Sequence, residues 1–174
     1  GLAELHARAR PAHPADRPHS IDIAGFSDGA ELFRVVTTVD QDTTALPELA
    51  GRPSANMLIP NATDLTWANI KLDATTLAAA PSQLSAVPQA QARAVVWTAL
   101  VDGVYLAEID PRHLLAVLAT SWAPEINQSI INRVGLLMIE RIIPAFIPLD
   151  ERDSAHAVLS EAATRMRKEA EPGS

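Results

Sequence analysis

The hydrophobic periodicity of the chain changes near residue 73, and this change restricts the possible folds more than any other feature of the sequence. Before it, apolar residues alternate with polar ones, which is typical of half-buried strands. After it, apolar residues recur three and four positions apart, as on the buried face of a helix. The pattern predicts an α+β chain of two domains, an antiparallel β-sandwich over residues 1–73 and an array of antiparallel α-helices over residues 74–174.

About five short strands account for the first predicted domain. The turn between the second and third is marked by Asp28-Gly29, a pair that strongly favours a hairpin. The first strand has an alternative interpretation as a helix, because it is rich in alanine. The polar stretch 41–53 is expected to form a loop. The predicted strands are 3–10, 20–26, 31–39, 56–59 and 65–72.

Four or five helices account for the second predicted domain. Asp73 or Thr75 is expected to cap a short helix that Pro81 stops, and Asp110-Pro111 is a favourable helix start. Pro144 and Pro148 are expected to end the penultimate helix, and Asp150 to cap the last. The predicted apolar stripes are Ala90, Ala94, Trp97, Leu100 or Val101, and Val104; then Ile126, Ile130, Val134, Leu137, Met138 and Ile142; then Ala155, Val158, Leu159, Ala162 and Met166. The core is also expected to hold Trp67, Trp97 and Trp122.

The charge balance and the lack of cysteine exclude several classes of function. The 174 residues include 14 basic and 21 acidic ones, a formal net charge of −7, so a nucleic-acid surface is not expected. Without cysteine there is no disulfide, thiolate nucleophile or cysteine-ligated metal. No apolar run approaches the roughly 20 residues of a membrane span, and nothing at the N-terminus reads as a secretion signal. We therefore expect a cytoplasmic protein with no membrane or nucleic-acid partner.

The five histidines lack the spacing of a zinc hydrolase, because none is followed by Glu and none has another His four positions on. His13 and His19 flank a proline-rich loop and could share a metal, but the favoured interpretation is that they are surface groups. Glycine-rich phosphate loops and the Gly-x-Ser-x-Gly nucleophile turn are also missing. The sequence therefore predicts no catalytic, cofactor-binding or metal-binding residue in this chain.

Asp102 is the most unusual acidic residue, since it lies within an apolar helical stripe beside Gly103. The favoured interpretation is a partly buried acid paired with Arg93 or Arg133, and the alternative is a contact between the two domains. Other carboxylates border predicted elements and are expected to be caps, turn residues or solvated groups rather than an acid/base pair: Asp64, Asp73, Glu108 and Asp110.

One stretch carries information beyond periodicity. Residues 58–73 read Leu-Ile-Pro-Asn-Ala-Thr-Asp-Leu-Thr-Trp-Ala-Asn-Ile-Lys-Leu-Asp, and Thr76-Leu77 follows shortly after. This stretch resembles the segment that joins the third and fourth domains of aminopeptidase N, in the M1 family of zinc metallopeptidases, and most closely the actinobacterial type. Further motifs of the same family occur in the same order: Arg17-Pro18-His19, Leu49-Ala50-Gly51-Arg52-Pro53 and Ala92-Arg93-Ala94-Val95-Val96-Trp97. Together they cover about residues 11–105.

The resemblance implies a β-sandwich followed by the opening helices of a longer α-helical domain, truncated here. In that family a His-Glu-x-x-His helix with a downstream Glu binds zinc, and a Gly-x-Met-Glu-Asn strand holds the free amino end of a peptide substrate. Neither motif occurs in this sequence, so no catalytic or metal-binding residue is carried over. The implied function is therefore that of a non-catalytic C-terminal portion, scaffold and part of a lid, whose partners are the absent zinc-bearing catalytic domain and, in the parent, peptides.

The alternative is a stand-alone helical module that offers an apolar groove to a protein partner. A helical array cut short would also leave an apolar terminal face exposed to water, which favours pairing between copies. We therefore expect self-association of the isolated chain, which light scattering at high concentration would detect.

Overall fold

The structure of the chain is a computed structural model that describes residues 4–6 and 18–170. Five strands come first in these described ranges: β1 (Glu4–His6), β2 (His19–Ser27), β3 (Ala30–Val39), β4 (Thr43–Ala45) and β5 (Met57–Pro60). They form two antiparallel sheets, a two-stranded one that pairs β1 with β4 and a three-stranded one in the order β3-β2-β5. The N-terminal half is therefore a small antiparallel β-structure, as the alternating pattern predicted.

The β2–β3 hairpin turns at the predicted Asp28-Gly29 pair. Both residues have positive φ, +50° at Asp28 and +79° at Gly29, as a two-residue hairpin turn with right-handed strand twist requires. The turn is also held by the first helix, because the amide side chain of Gln83 accepts from the Asp28 N–H at 2.7 Å and donates to the Asp28 carboxylate at 3.1 Å. The turn is therefore favoured by its local sequence and also stabilised by a long-range contact.

One predicted strand and one predicted loop are wrong, and another predicted strand lies partly outside the described residues. Residues 65–72 form no strand, because the chain leaves the sheet after β5 and crosses to the helices, where Ile70 and Leu72 pack on the helical core. The predicted loop 41–53 contains β4, a strand of only three residues that pairs with β1. Of the predicted strand 3–10, the structure describes only residues 4–6, which are strand.

Among the described residues after position 73 there are five α-helices and a π-helical segment, together with a short helical piece, α5, of four residues. Asp73 caps α1 by accepting from the N–H groups of Thr75 and Thr76, and Asp110 caps α3 with Pro111 at its first position, both as predicted. The bounds are α1 (Ala74–Gln83), α2 (Ala90–Tyr105), α3 (Pro111–Ser121), α4 (Gln128–Leu137), the π-segment (Met138–Ile142), α5 (Ile143–Phe146) and α6 (Arg152–Glu169).

Three predicted helix ends are wrong. Pro81 does not stop α1, which continues to Gln83, because the helical φ of proline fits and only one backbone hydrogen bond is lost. Pro144 lies inside α5, and the helix widens into the π-segment just before it, where the Ile143 N–H donates to the Met138 carbonyl. Asp150 does not cap α6, since it lies in a 3-10 turn, Leu149–Glu151, that precedes the helix.

The three-stranded sheet is buried on both faces. One face, with Ile21 and Ile23 of β2, packs in a cluster with Val35, Val39 and Leu46, and half-buried Leu5 of β1 packs against it, so the two sheets form a small sandwich. The opposite face contributes Ala24, Phe26, Met57 and Ile59 to the larger core, which otherwise consists mainly of helical residues. The α+β class is confirmed. The division into two domains at residue 73 stays a prediction, and the larger core extends across it.

Candidate functional site

A groove of about 280 Å³ lies between α2 and α4 in the described part of the chain. Its apolar floor is formed by residues on the facing sides of the two helices, and polar groups border it. The apolar lining residues are Ala90, Ala94, Trp97, Val101, Ile130, Val134 and Leu137, and the polar ones are Asp64, Gln91, Thr98, Asp102, Asn127, Ser129 and Arg133. All seven apolar lining residues belong to the stripes predicted from periodicity. Those stripes therefore correctly predicted the sides of α2 and α4 that face the groove.

Two long-range contacts join α2, which forms one side of the groove, to other parts of the chain. Near the start of α2, Arg93 binds Glu125, which lies in the loop before α4. At the other end, the Asn69 side-chain N–H₂ donates to the Asp102 carboxylate at 3.3 Å, which joins the connection between β5 and α1 to α2. The N-termini of α2 and α4 therefore lie at the same end, and the connecting segment borders the opposite end.

The prediction that Asp102 pairs with Arg93 or Arg133 is wrong. Arg93 is fully engaged by Glu125, and the hydrogen-bond partner of Asp102 is Asn69, 33 positions earlier in the chain. Asp102 and Arg133 both line the groove, without an ion pair between them in the described residues. The contact joins the segment 61–73 to α2, so it agrees with the alternative interpretation, a contact between the two predicted domains, rather than with the favoured one.

Residues 61–66, which include Asp64 at the border of the groove, are held by a network of hydrogen bonds centred on Asn61. The buried Asn61 side chain donates to the Thr66 carbonyl at 2.8 Å and accepts from the Thr66 N–H at 3.1 Å. Asp22 accepts from both the N–H and the hydroxyl of Thr63, and the Thr66 hydroxyl donates to the Ser20 carbonyl at 2.5 Å. Residues 61–66 are therefore fixed to β2 by hydrogen bonds to side chains and backbone.

This fixed turn presents large apolar side chains to solvent. Leu65 is 86% exposed and Trp67 is 100% exposed, whereas Trp97 and Trp122 are buried. The prediction that Trp67 belongs to the core is wrong, because the segment that carries it is not a strand and has no sheet neighbour to cover it. The prediction that Ile126 belongs to the buried stripe of α4 is also wrong, since Ile126 is 88% exposed. It precedes the Asn127 cap, so it lies outside the helix and the helical spacing does not apply to it.

The Arg93–Glu125 ion pair is the strongest electrostatic feature of the site. The Arg93 guanidinium donates to both carboxylate oxygens, at 2.8 and 2.7 Å, and to the carbonyls of Val87 and Pro88. One oxygen of Glu125 also accepts from the N–H groups of Ile126 and Asn127. The pair is buried, and it joins the start of α2 to the loop before α4. Nothing in the local pattern of the sequence indicated the role of Glu125.

Burial acts to raise the pKa of Glu125, but the hydrogen bonds from Arg93 and from two backbone N–H groups outweigh it, so the pKa lies below its ordinary value near 4.5. A depressed folded-state pKa contributes stability that is present above the unfolded value and is lost as the pH falls through the folded value. We therefore expect the free energy of unfolding to fall as the pH is lowered from about 4.5. In Glu125→Gln this part of the pH dependence should be missing, which urea titrations between pH 7 and pH 3 would measure. A variant with the full wild-type slope would contradict the assignment.

The histidines and the remaining carboxylates do not converge. Among residues 4–6 and 18–170 no group of three His, Asp or Glu side chains is placed to hold a metal ion, and His13 lies outside the described residues. Asp73 and Asp110 are helix caps, Glu108 pairs with Lys71, and Asp64 borders the groove. The prediction that the chain has no catalytic, cofactor-binding or metal-binding residue stays a prediction.

Within the described ranges, no helix is both long enough and apolar enough to cross a lipid bilayer.

Comparison with known proteins gives one informative similarity. The chain matches no protein-family model. It is similar to Aminopeptidase N of Streptomyces lividans, with 29% identity over 170 residues. That match takes in 92% of this chain but only 19% of the length of the relative, so the chain spans about a fifth of the protein it resembles.

Proposed function

We propose that the chain is a non-catalytic C-terminal portion of an aminopeptidase N-like zinc metallopeptidase of the M1 family, cytoplasmic, which removes N-terminal amino acids from peptides. In this proposal the segment supplies scaffold and part of the lid over the active-site chamber. The observation that carries it is the similarity to Aminopeptidase N over nearly the whole chain and a small part of the relative. The α+β architecture, a small sandwich followed by helices, is what the sequence resemblance implied.

The residues that the structure describes do not form a site for the zinc of the proposed parent enzyme. His6 and His19 lie on strands, His113 on α3 and His156 on α6, and no set of three potential ligands meets within the part of the chain that the structure describes. Zinc and the peptide-cleaving residues would therefore belong to another part of the parent. The groove and its surroundings supply packing surfaces, and no chemical step is assigned to them.

The complete reading frame around this segment tests the proposal directly. We expect it to encode a His-Glu-x-x-His helix upstream of residue 1, and its full product to release amino acids from aminoacyl arylamides. The 174-residue chain alone should release none under the same conditions. A reading frame that begins and ends at these residues, or a full product without a zinc helix, would contradict the proposal.

A second candidate, a stand-alone helical interaction module, is favoured by the groove between α2 and α4 and by the exposure of Trp67. It predicts a start codon close to Gly1 and a specific protein partner, so the same reading frame separates the two candidates.

A further inference from the structure

The segment between β5 and α1 is attached to the sheet on one side of Trp67 and to the helices on the other. Before it, the Thr66 hydroxyl donates to the Ser20 carbonyl of β2 at 2.5 Å. After it, the Asn69 side chain donates to the Asp102 carboxylate of α2 at 3.3 Å. The two residues between these attachments form no hydrogen bond with any residue that the structure describes. Trp67 therefore marks the point at which the chain passes from one attachment to the other.

The backbone at this point is open to solvent. Residues 67–72 have no regular secondary structure, and none of their backbone groups is hydrogen-bonded within the described ranges. Trp67 is 100% exposed, and Ala68 and Asn69 are exposed as well. An endopeptidase binds an extended substrate through free backbone groups, and exposed connections with few contacts are the usual sites of cleavage. The segment can therefore be cut while the sheet and the helices stay folded.

Trp67 also distinguishes one peptide bond from the others among the described residues. Leu65, Leu106 and Ile126 are exposed too, but each precedes a residue whose backbone N–H is hydrogen-bonded. The remaining exposed large apolar side chains lie in α-helices, the π-segment, a 3-10 turn or β3. The bond after Trp67 is thus the one open bond in the described part of the chain that follows such a side chain. Endopeptidases with an apolar specificity pocket recognise a large side chain at this position.

The larger core would keep the two pieces together after a cut at this bond. Phe26 and Met57 of the sheet are 1% and 0% exposed, and they belong to the same cluster as Leu84 and Leu100 of the helical half. These apolar surfaces would be exposed to water only if the pieces separated, so their burial opposes separation.

Polar contacts join the same two pieces. The Thr76 hydroxyl of α1 accepts from the Leu58 N–H of β5 at 2.9 Å, and Thr76 is fully buried. The Gln83 side chain holds the hairpin turn by accepting from the Asp28 N–H at 2.7 Å and donating to the Asp28 carboxylate at 3.1 Å. Leu58 and Asp28 precede the bond, whereas Thr76 and Gln83 follow it. Directional contacts therefore add to the shared core.

We propose that the Trp67–Ala68 peptide bond is a processing site for an endopeptidase that takes a large apolar side chain before the bond it cuts. Water is the co-reactant. The amide C–N bond breaks, the hydroxyl of water adds to the Trp67 carbonyl carbon and its proton to the Ala68 nitrogen, and transfer of the acid proton leaves a solvated carboxylate and ammonium. The product is a chain in two pieces, residues 1–67 and 68–174, that stays folded as one unit. This inference goes beyond the proposed function and does not depend on it.

Limited digestion of the 174-residue chain with chymotrypsin, followed by mass spectrometry, tests the site. We expect the first cut within residues 18–170 to fall after Trp67. Trp67→Ser should slow cutting there by at least about tenfold, because the apolar pocket of the enzyme loses its occupant. Leu149→Ser is the matched control, since it removes another large apolar side chain, 79% exposed, and should leave the rate unchanged. A first cut at another bond within residues 18–170, or equal rates in the two variants, would overturn the proposal.

Native gel filtration of the cut chain tests whether the pieces stay together. They should elute with the uncut chain and separate only at denaturing concentrations of urea. In Phe26→Ala the dissociation constant of the two pieces should rise by at least about a hundredfold, because the shared core is weakened. Val36→Ala, on the neighbouring strand but 64% exposed, should leave it unchanged. Pieces of the wild-type chain that elute separately without urea would show that the cut destroys the folded unit and would overturn the inference.

Discussion

Replacing Arg93 with Met is expected to lower the free energy of unfolding by about 3–5 kcal/mol, because it leaves the Glu125 carboxylate buried without its cation. The substitution also removes donors to the carbonyls of Val87 and Pro88, which then lie unpaired near the start of α2. Urea unfolding followed by far-UV circular dichroism measures the loss. Because the pair joins α2 to the loop before α4, this variant should also loosen the groove.

The chain contains its own control for this prediction. Arg112 binds Glu151 with the same two-pronged geometry, at 2.8 and 2.5 Å, but the two side chains are 54% and 39% exposed. Arg112→Met should therefore change the urea midpoint by only a small fraction of the Arg93→Met effect. Equal effects of the two substitutions would show that burial is not what makes the Arg93–Glu125 pair important.

The double variant Arg93→Met/Glu125→Leu separates the ion pair from the backbone contacts. It should be less destabilised than the sum of the single variants, because no charge is then left buried alone. It should not regain wild-type stability, since the N–H groups of Ile126 and Asn127 lose their acceptor. Strict additivity of the two single substitutions would contradict a direct coupling between the side chains.

Phe26→Ala is the second substitution with a large expected effect, a loss of about 3–5 kcal/mol from a cavity in the larger core. Phe26 lies on β2, yet it is 1% exposed and belongs to the cluster that also contains Leu84, Val96 and Leu100. The substitution should therefore destabilise the helices as much as the sheet. Helical circular dichroism and the fluorescence of the buried Trp97 and Trp122 should report one common transition at a lower urea concentration.

Val36→Ala is the control for Phe26→Ala, because Val36 lies on the neighbouring strand β3 but is 64% exposed. Its effect should be within about 0.5 kcal/mol of wild type. If Phe26→Ala instead separated the unfolding curve into an early β-transition and an unchanged helical one, residues 1–73 and 74–174 would be independent domains despite the shared core.

The sequence correctly indicated those features that depend on neighbours along the chain. The Asp28-Gly29 turn, the Asp73 and Asp110 caps and most of the helical stripes were predicted, since each follows from backbone geometry within about one turn or from burial on one face. Residues 65–72 show the limit of this reasoning. Their alternation was compatible with a strand, but a strand also needs a neighbour to pair with, and β5 pairs with β2 alone in the described residues.

The polar contacts around the candidate site join residues that are far apart in the sequence, so the periodicity of apolar residues could not predict them. Glu125 is 32 positions from Arg93, and Asn69 is 33 positions from Asp102, so the choice of partner for each charged residue was open until the helices were placed. The apolar periodicity predicted the residues that form the apolar floor of the groove. Trp67 and Ile126 were also expected in the core, but both are exposed to solvent.

By itself, the amino-acid sequence determined the α+β class, the hairpin and most helix starts, because these arise from local conformational preferences and from the period of apolar residues. Only the tertiary structure decided which faces of the central sheet are covered, which acid neutralises Arg93, and that Trp67 stays outside the core. The physical reason is that burial and ion pairing depend on which distant segments come into contact. The free energy of these contacts depends on the folding of the whole chain and not on any one stretch of the sequence.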